Sequence, residues 1–215
     1  MGFQGFPAEA FGFYERLAAD NSRAFWAAHK RDYEIFVRDP VLALAGELEA
    51  EFGPVAVFRP SRDTRFSTDK SPYKTYQGAF AERFPGTGFY VQVSADGLAA
   101  GGGFHSHAPE QVERYRAAVS SGPAGTALQA IAAGLREDGL HLDGDQLRTR
   151  PRGVPADHPR LELLRYRSLT AGRDWPAGPA LSTRQALALV HQTWEKLIPL
   201  CDWLCEHVGP PRSRS

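Results

Sequence analysis

The residues best suited to chemistry lie in one stretch, from Arg59 to Gln77, whose sequence is RPSRDTRFSTDKSPYKTYQ. We call it the cationic stretch, since it holds three arginines and two lysines beside two aspartates. The whole chain has four lysines against twenty-one arginines, yet Lys70 and Lys74 both fall here. Because arginine is the usual cation of this protein, lysine at these positions indicates a use for a compact, movable ammonium group.

This composition favours a binding site for a small anion, such as a phosphate or a carboxylate. Prolines and serines predict a non-helical loop, in which arginine offers paired hydrogen bonds and lysine a point charge. Tyr73 or Asp63 could transfer a proton, and Lys70 or Lys74 could neutralise developing negative charge. A later run of three glycines, 101–103, would let a ligand or backbone approach closely. The candidate ligand-binding residues are Arg62, Asp63, Arg65, Lys70, Tyr73, Lys74 and Gly102.

Two other interpretations of the cationic stretch stay open. Its opposite charges are also typical of an ion-pair clasp that fastens a loop to the protein, with Phe66 and Tyr73 anchored in the core. The stretch would equally suit a non-catalytic interaction module that recognises an acidic segment of a partner. The sequence identifies no cofactor, no reaction and no oligomeric state.

Histidines offer a second candidate chemistry. His105, His107 and His158, together with an aspartate, could assemble a metal site, because imidazole and carboxylate groups suit zinc or iron. Their spacing specifies no coordination geometry, so we predict no metal site. Asp157 precedes His158 and Pro159, a pattern that predicts a cap for the helix that follows more than an oriented general base.

Cysteine and serine motifs add little. Cys201 and Cys205 are four residues apart near the end of the chain, and on a helix both thiols would share one face. No second cysteine pair or histidine-rich motif accompanies them, so we predict buried, reduced thiols. The chain has neither a GxSxG nucleophile motif nor the glycine patterns that bind nucleotide phosphates.

Composition describes an ordinary globular protein. The 215 residues are 42% hydrophobic and 23% charged, and the formal net charge is zero. A neutral chain argues against nucleic acid as a partner, because nucleic-acid binders usually carry a basic field over a whole face. The N-terminus resembles no secretory signal, and no apolar run is long enough to span a membrane. We expect a cytoplasmic protein without membrane attachment.

Hydrophobic periodicity predicts where the elements that hold the stretch lie. The first quarter is helical, over about 8–19, 22–38 and 41–52, with a restart at Asp39-Pro40. Strands follow at about 77–84, 89–93 and 98–104 and form an antiparallel meander. Helices are predicted at 109–119, 124–136 and 159–164, short strands at 140–148 and 165–169, and a last helix from Ser182 that Pro199 kinks or restarts.

These elements predict an α+β fold: one domain over residues 1–208, with a central, mainly antiparallel sheet packed with N-terminal and C-terminal helices. Residues 209–215 are expected to form a disordered tail. No linker or internal repeat divides the chain.

The ordered series of motifs resembles a known family. NSRAFWAAHKRDYE, RDTRFSTDKSPYKT, GFYVQVSADGLAAGGGF and PRGVPADHPRLELLRYRS together resemble the uncharacterised family DUF2461, also catalogued as TIGR02453. The resemblance covers about residues 11–203, and RFSTDKSPYKT is its most specific part.

The resemblance implies a compact, single-domain, cytoplasmic protein of a family without an established activity. It implies that the signature residues of the cationic stretch belong together, along with the glycines 101–103 and the later Asp157-His158-Pro159 step. Arg167-Ser168 stands where the family more often has Lys-Ser. The signature residues are Arg62, Asp63, Arg65, Phe66, Asp69, Lys70, Pro72, Tyr73 and Lys74.

Overall fold

The computed structural model describes residues 2–63, 65, 68–104 and 108–211. The helices are α1 (Ala8–Ala19), α2 (Arg23–Asp32), a π-helix (Tyr33–Arg38), α3 (Asp39–Phe52), α4 (Pro109–Ser120), α5 (Gly122–Glu137), α6 (Leu161–Leu164), a 3-10 helix (Pro179–Ser182) and α7 (Gln185–His207). The strands are β1 (Val55–Val57), β2 (Tyr76–Phe84), β3 (Thr87–Ser94), β4 (Gly97–Phe104), β5 (His141–Asp143) and β6 (Leu169–Pro176). The predicted α+β class, with helices at both ends of the chain and an antiparallel sheet, is confirmed.

The sheet has six strands in the order β1-β2-β3-β4-β6-β5. Strands β2, β3 and β4 are neighbours in sequence and in the sheet, which confirms the predicted meander. Strand β1 pairs antiparallel with β2, and Val55 faces Ala81 in the register. This pairing fixes the two ends of the cationic stretch, because the stretch connects β1 to β2.

The N-terminal helices follow the predicted pattern with one difference. Ser22 caps α2 as its hydroxyl oxygen accepts a hydrogen bond from the amide of Phe25. The chain then stays helical through the π-helix into α3, where a restart at Asp39-Pro40 was expected. Proline lacks an amide hydrogen and crowds the preceding turn, and the wider π-helical turn directly before it accommodates both effects.

The later strands differ from the prediction in position. The short strand expected at 165–169 begins only at Leu169 and runs to Pro176. Residues before it form a turn in which the amide of Arg167 donates to the carbonyl of Asp145. The predicted strand at 140–148 is reduced to three residues. Helix α7 continues through Pro199 to His207.

Contacts between Cα atoms divide the chain into two compact units. Unit 1 comprises residues 1–81, 90–100 and 174–192, and unit 2 comprises 82–89, 101–173 and 193–215. Strands β2, β3, β4 and β6 and helix α7 contribute residues to both. The single-domain boundary at 1–208 therefore stays a prediction.

Each unit has its own aromatic core. In unit 1 the ring of Phe13 packs against Tyr14, Trp26 and Tyr33, with ring centroids 5.3, 6.0 and 5.8 Å away. In unit 2 the fully buried Trp194 stacks on Phe89 at 5.5 Å. Aromatic contacts of this kind stabilise a core beyond the area they bury.

The end of the described chain is held within unit 2. Val208 is buried, and the carbonyl of Gly209 accepts a hydrogen bond from the side chain of Gln111. Arg114 donates to the carbonyls of Val208 and Pro210. The predicted disordered tail thus begins with residues that the structure fixes, and residues 212–215 lie outside the described part. No helix in the described chain has the length and apolar character needed to cross a membrane.

The N-terminal segment is tied to α3 by a carboxylate, and this contact predicts acid sensitivity. The amide of Phe3 and the guanidinium of Arg184 both donate to Glu47, which lowers the pKa of Glu47 from its ordinary 4.5. A lowered folded-state pKa contributes stability above pH 4.5 that is lost as the pH falls through the folded value. We expect Glu47→Gln to flatten the acid limb of the stability curve, measured by urea unfolding between pH 3 and 7, and an unchanged limb would contradict this role.

Candidate functional site

The cationic stretch forms a loop in unit 1 whose two ends are paired. Ser61 and Tyr73 form an isolated antiparallel bridge. The amide of Arg62 donates to the carbonyl of Pro72, and the amide of Lys74 donates to that of Pro60, both at 2.9 Å. The backbone therefore brings Arg62 and Lys74 to the same end of the loop, although they are far apart in sequence.

One asparagine from the helical segment holds this end of the loop in place. The Asn21 amide group donates to the carbonyl of Tyr73 at 3.0 Å and accepts from its amide at 3.1 Å. The ring of Tyr73 stacks on Trp26, with centroids 4.2 Å apart and planes 11° apart. Tyr73 is thus an anchor of the loop, as the clasp interpretation expected, and its proton-transfer role stays a prediction.

Removing this asparagine is expected to destabilise unit 1. Asn21→Ala leaves both backbone groups of Tyr73 without their side-chain partner, at a cost of about 1–3 kcal/mol. Urea unfolding of the variant measures this change in free energy. Asn21→Asp is the matched control, since it keeps the acceptor for the Tyr73 amide and should recover part of the loss; equal stability of wild type and Asn21→Ala would contradict the clamp.

Four of the predicted loop charges pair with one another. Arg65 binds Asp63 through two guanidinium nitrogens, at 3.0 and 2.7 Å, and the Arg65 amide also donates to this carboxylate. Arg62 contacts Asp69 at 2.7 Å, and Asp69 accepts from the amide of Ser71. These contacts hold the pKa values of Asp63 and Asp69 below their usual range. Both aspartates are therefore occupied within the loop.

Lys74 is in a different situation. Its Nζ lies 5.1 Å from the ring centroid of Phe58 and 6.0 Å from that of Tyr76. It forms no ion pair with any residue that the structure describes. Partial burial, followed by the charges of Arg59 and Arg62, lowers the pKa of Lys74 from its ordinary 10.5. The loop thus gathers two arginines around the partly buried amine of Lys74, while its aspartates pair elsewhere.

A buried glutamine holds the backbone next to Lys74. Gln77 is 1% exposed, and its amide group donates to the carbonyls of Phe58 and Gly78 at 2.7 and 2.9 Å. Its side-chain oxygen accepts from the hydroxyl of Tyr33 at 2.6 Å. Burial raises the pKa of Tyr33 to about 12, so this hydroxyl stays protonated and donates. The network ties the backbone of Phe58, whose ring faces Lys74, to the helical segment.

The remaining predicted residues lie in different places. Lys70 is exposed on the loop. Gly102 is in unit 2, where a Cβ atom would lie 2.9 Å from the carbonyl oxygen of Gly88 and 3.4 Å from the side chain of Leu197. Close packing accounts for this glycine, so its ligand-binding role stays a prediction without support from its surroundings. Phe66 lies outside the described residues.

The predicted histidines form no assembled metal site within the described residues. His105 and His107 lie outside the described residues, and His158 accepts from the amide of Arg160 through Nδ1. His158, and not Asp157 as expected, therefore supplies the side-chain hydrogen bond next to α6. His191 contacts Glu51 at 2.6 Å in unit 1.

The two cysteines differ in exposure. Cys201 is buried, which raises the pKa of its thiol to about 12, whereas Cys205 is exposed. The prediction of burial holds for Cys201 and is wrong for Cys205, which lies about 40° further round α7 at 3.6 residues per turn.

A separate cavity of about 350 Å³ lies in unit 1, and none of the predicted site residues lines it. It is bordered by the turn between β3 and β4 and by the end of β6. Its polar lining includes Gln92, Ser94 and Asp96, beside the indole of Trp175. The cationic stretch contributes no residue to this cavity.

The fold and the site define an α+β protein whose most distinctive feature is a cation-rich loop at the edge of an antiparallel sheet. The chain belongs to the family DUF2461, described as a conserved hypothetical protein, whose model matches residues 9–203. No curated protein matches the chain. The family match includes the cationic stretch and confirms the resemblance noted in the sequence.

Several residues around Lys74 and Tyr73 were not among the ligand-binding residues predicted from the sequence. Asn21 was assigned to an interruption between helices, and Gln77 to the start of a strand. Phe58 lies outside the motifs altogether, and Arg59 was placed in the stretch but not among the ligand-binding residues. A signal for Gln77 does exist in the sequence, since a glutamine among strand residues that bury both faces needs hydrogen-bond partners.

Proposed function

We propose that this protein binds a small anion, a phosphate or a carboxylate, at the end of the cationic stretch formed by Lys74, Arg59 and Arg62. The proposal rests on the surroundings of Lys74. This side chain is partly buried, is acted on by the charges of two arginines, and forms no ion pair with a described residue. Like charges gathered in this way repel one another, and a bound anion removes the repulsion.

The geometry supports a small ligand. One terminal nitrogen of the Arg62 guanidinium contacts the carboxylate of Asp69, whereas the buried Nε of Arg62 has no hydrogen-bond partner in the described part of the chain. Arg59 is exposed and forms no ion pair or hydrogen bond with a described residue. Arginine can offer paired donors to a carboxylate or phosphate, while lysine adds charge from one side. The neutral net charge restricts such binding to this local site.

The remaining parts of the proposal rest on the sequence. Lys70, Arg65, Asp63 and Tyr73 stay predicted members of the site, with Arg65 and Asp63 acting mainly on each other. A reaction is not part of the proposal, because the described loop brings no oriented acid and base together. A cytoplasmic location and the absence of nucleic-acid binding likewise remain proposals.

Calorimetric titration of the wild-type protein with inorganic phosphate, sulfate and succinate at low ionic strength tests the function. We expect saturable binding of at least one of these anions with a stoichiometry of about one, weakened by added sodium chloride because the ligand contacts are charged. Absence of saturable binding for all three anions would overturn the proposal.

The interaction module remains a second candidate, because Arg59 and Lys70 are exposed. An acidic peptide would then bind with a steep dependence on salt and would exceed the affinity of the small anions. The clasp interpretation has the support of the pairs Arg62–Asp69 and Arg65–Asp63. Because Asp63, Arg65 and Asp69 are solvent-exposed and only Arg62 is partly buried, these pairs are expected to add little stability.

The pKa of Lys74 predicts how anion binding depends on pH. Sulfate is the suitable ligand, since its charge is constant across the alkaline range. Its affinity should be steady near neutrality and fall as Lys74 loses its proton at a pH below 10.5, whereas the arginines stay charged. The measurement is calorimetric titration between pH 7 and 10.5; an affinity that does not change across this range would show that Lys74 does not contact the anion.

A further inference from the structure

We propose that an exposed face of the N-terminal helices binds the same face of a second copy of this chain, with the two helices antiparallel about a twofold axis at Ile35. The helix is continuous from Arg23 through the π-helix to Phe52, and all of it belongs to unit 1. The inference concerns a homodimer and does not depend on the anion site. The exposed residues of this Ile35 face are Ala24, Ala27, Arg31, Ile35, Asp39, Leu42 and Gly46.

Two apolar side chains lie on the Ile35 face. Of the described residues, the large hydrophobic side chains that stay exposed are Ile35, at 46%, and Leu42, at 40%. The other side of the same helix is buried in the core through Tyr33, Val37 and Val41. Isolated apolar residues are ordinary on a protein surface, whereas two on one helix face indicate a contact surface.

The charges beside Ile35 make this face complementary to itself. Arg31 lies four residues before Ile35 and Asp39 four residues after it, and both are exposed. Neither forms an ion pair or a side-chain hydrogen bond with a residue that the structure describes. An antiparallel arrangement about Ile35 places Arg31 of each copy opposite Asp39 of the other. A parallel arrangement would set each charge against its own copy, which repulsion disfavours.

The π-helix brings these residues into line. In an α-helix, residues four apart differ in direction by about 40°, so Arg31 and Asp39 would be turned about 80° from each other. The π-helix surrounds Ile35, and at its end the amide of Asp39 donates to the carbonyl of Glu34, five residues back. This wider turn removes most of the offset. Because π-helical turns are rare and frequent at functional sites, its position agrees with a contact centred on Ile35.

Small residues allow two such helices to approach closely. Ala24, Ala27 and Gly46 are exposed, and a Cβ atom built at Gly46 would meet no atom within 4 Å. Ala27 of one copy would lie near Leu42 of the other, because the two residues are almost equally far from Ile35 along the helix. A single helix face buries less area than a standard interface, so we expect a reversible dimer with an affinity in the micromolar range.

Analytical ultracentrifugation of the full-length protein tests the inference. We expect the average mass of the wild type to rise from monomer toward dimer between about 1 and 200 µM, as the size of the interface implies. Ile35→Asp sets two like charges at the twofold axis and should leave the protein monomeric. Ala130→Asp is the matched control, since it adds the same charge at an exposed helical position in unit 2 and should not change the dimer.

Two outcomes of this experiment overturn the inference. If the wild type stays monomeric at the highest concentration, the Ile35 face does not bind a second copy. If Ile35→Asp dimerises as the wild type does, the dimer forms through a different surface. Thermal melting followed by circular dichroism checks that each variant keeps its fold, which is expected because the substituted side chains are exposed.

Exchanging the charges tests the antiparallel arrangement itself. Arg31→Asp and Asp39→Arg each set like charges opposite one another, and each alone should weaken the dimer about tenfold or more. An equal mixture of the two variants should associate about as tightly as the wild type, because one variant carries two negative groups on the face and the other two positive groups. A mixture that associates no better than either variant alone would contradict the pairing about Ile35.

Discussion

Replacing Lys74 with glutamine is expected to lower the affinity for inorganic phosphate by about tenfold to a hundredfold. A hydrogen bond to a charged group contributes about 1.5–3 kcal/mol, and 1.4 kcal/mol corresponds to a tenfold change in affinity. The effect should be large because Lys74 forms no ion pair with a described residue that would compete for its charge. Calorimetric titration of the wild type and Lys74→Gln measures it.

Two variants control this experiment. Lys196→Gln removes the same charge from a lysine that already pairs with Asp138 in unit 2, and should leave phosphate affinity unchanged. Lys74→Arg keeps the charge and should retain more affinity than Lys74→Gln. Equal losses in Lys74→Gln and Lys196→Gln would mean that phosphate responds to net charge alone, which would contradict a local site.

Gln77→Leu is expected to produce the largest loss of stability among polar substitutions in unit 1, about 2–6 kcal/mol. The substitution leaves the hydroxyl of Tyr33 and the carbonyl of Phe58 without their partners in a buried position, and each such group costs about 1–3 kcal/mol. Denaturant unfolding of the wild type and the variant measures the free energy of unfolding.

A matched control is Gln92→Leu. Gln92 also accepts a hydrogen bond from a tyrosine hydroxyl, that of Tyr90 at 2.7 Å, but it is only half-buried and should cost less. A double-mutant cycle with Tyr33→Phe isolates the coupling between Tyr33 and Gln77. Equal losses for Gln77→Leu and Gln92→Leu, or additive losses in the cycle, would contradict a special role of the buried network.

The charges of the cationic stretch could be predicted from the sequence, but the contacts between them could not. The density of charges in the cationic stretch was visible as a pattern, and the meander β2-β3-β4 followed from alternation and turn residues. Which charges pair with each other was not visible, because Arg62 and Asp69 meet only when Ser61 and Tyr73 close the loop. The sequence analysis therefore counted both Arg65 and Lys74 as ligand-binding residues. In the structure Arg65 pairs with Asp63, whereas Lys74 forms no ion pair with a described residue.

Long-range contacts account for most of the remaining differences. Asn21 binds a residue 52 positions away, and Tyr33 donates to a residue 44 positions away. Local patterns place Asn21 between two predicted helices and Tyr33 within the second of them. The strand β6 was predicted too early in the chain because Arg165 and Arg167 form backbone hydrogen bonds with residues 145–147, which follow β5. Periodicity over so few residues cannot distinguish such a turn from a strand.

The most direct test of the anion site follows the lysine side chains themselves. NMR signals of the lysine side-chain groups, assigned by substitution, are recorded while inorganic phosphate is added to the wild-type protein at low salt. The account predicts a saturable shift at Lys74 with the calorimetric affinity, and little change at Lys30 and Lys196. Equal, non-saturating shifts at all three lysines, or a saturable shift at Lys196 alone, would contradict an anion site at the end of the cationic stretch.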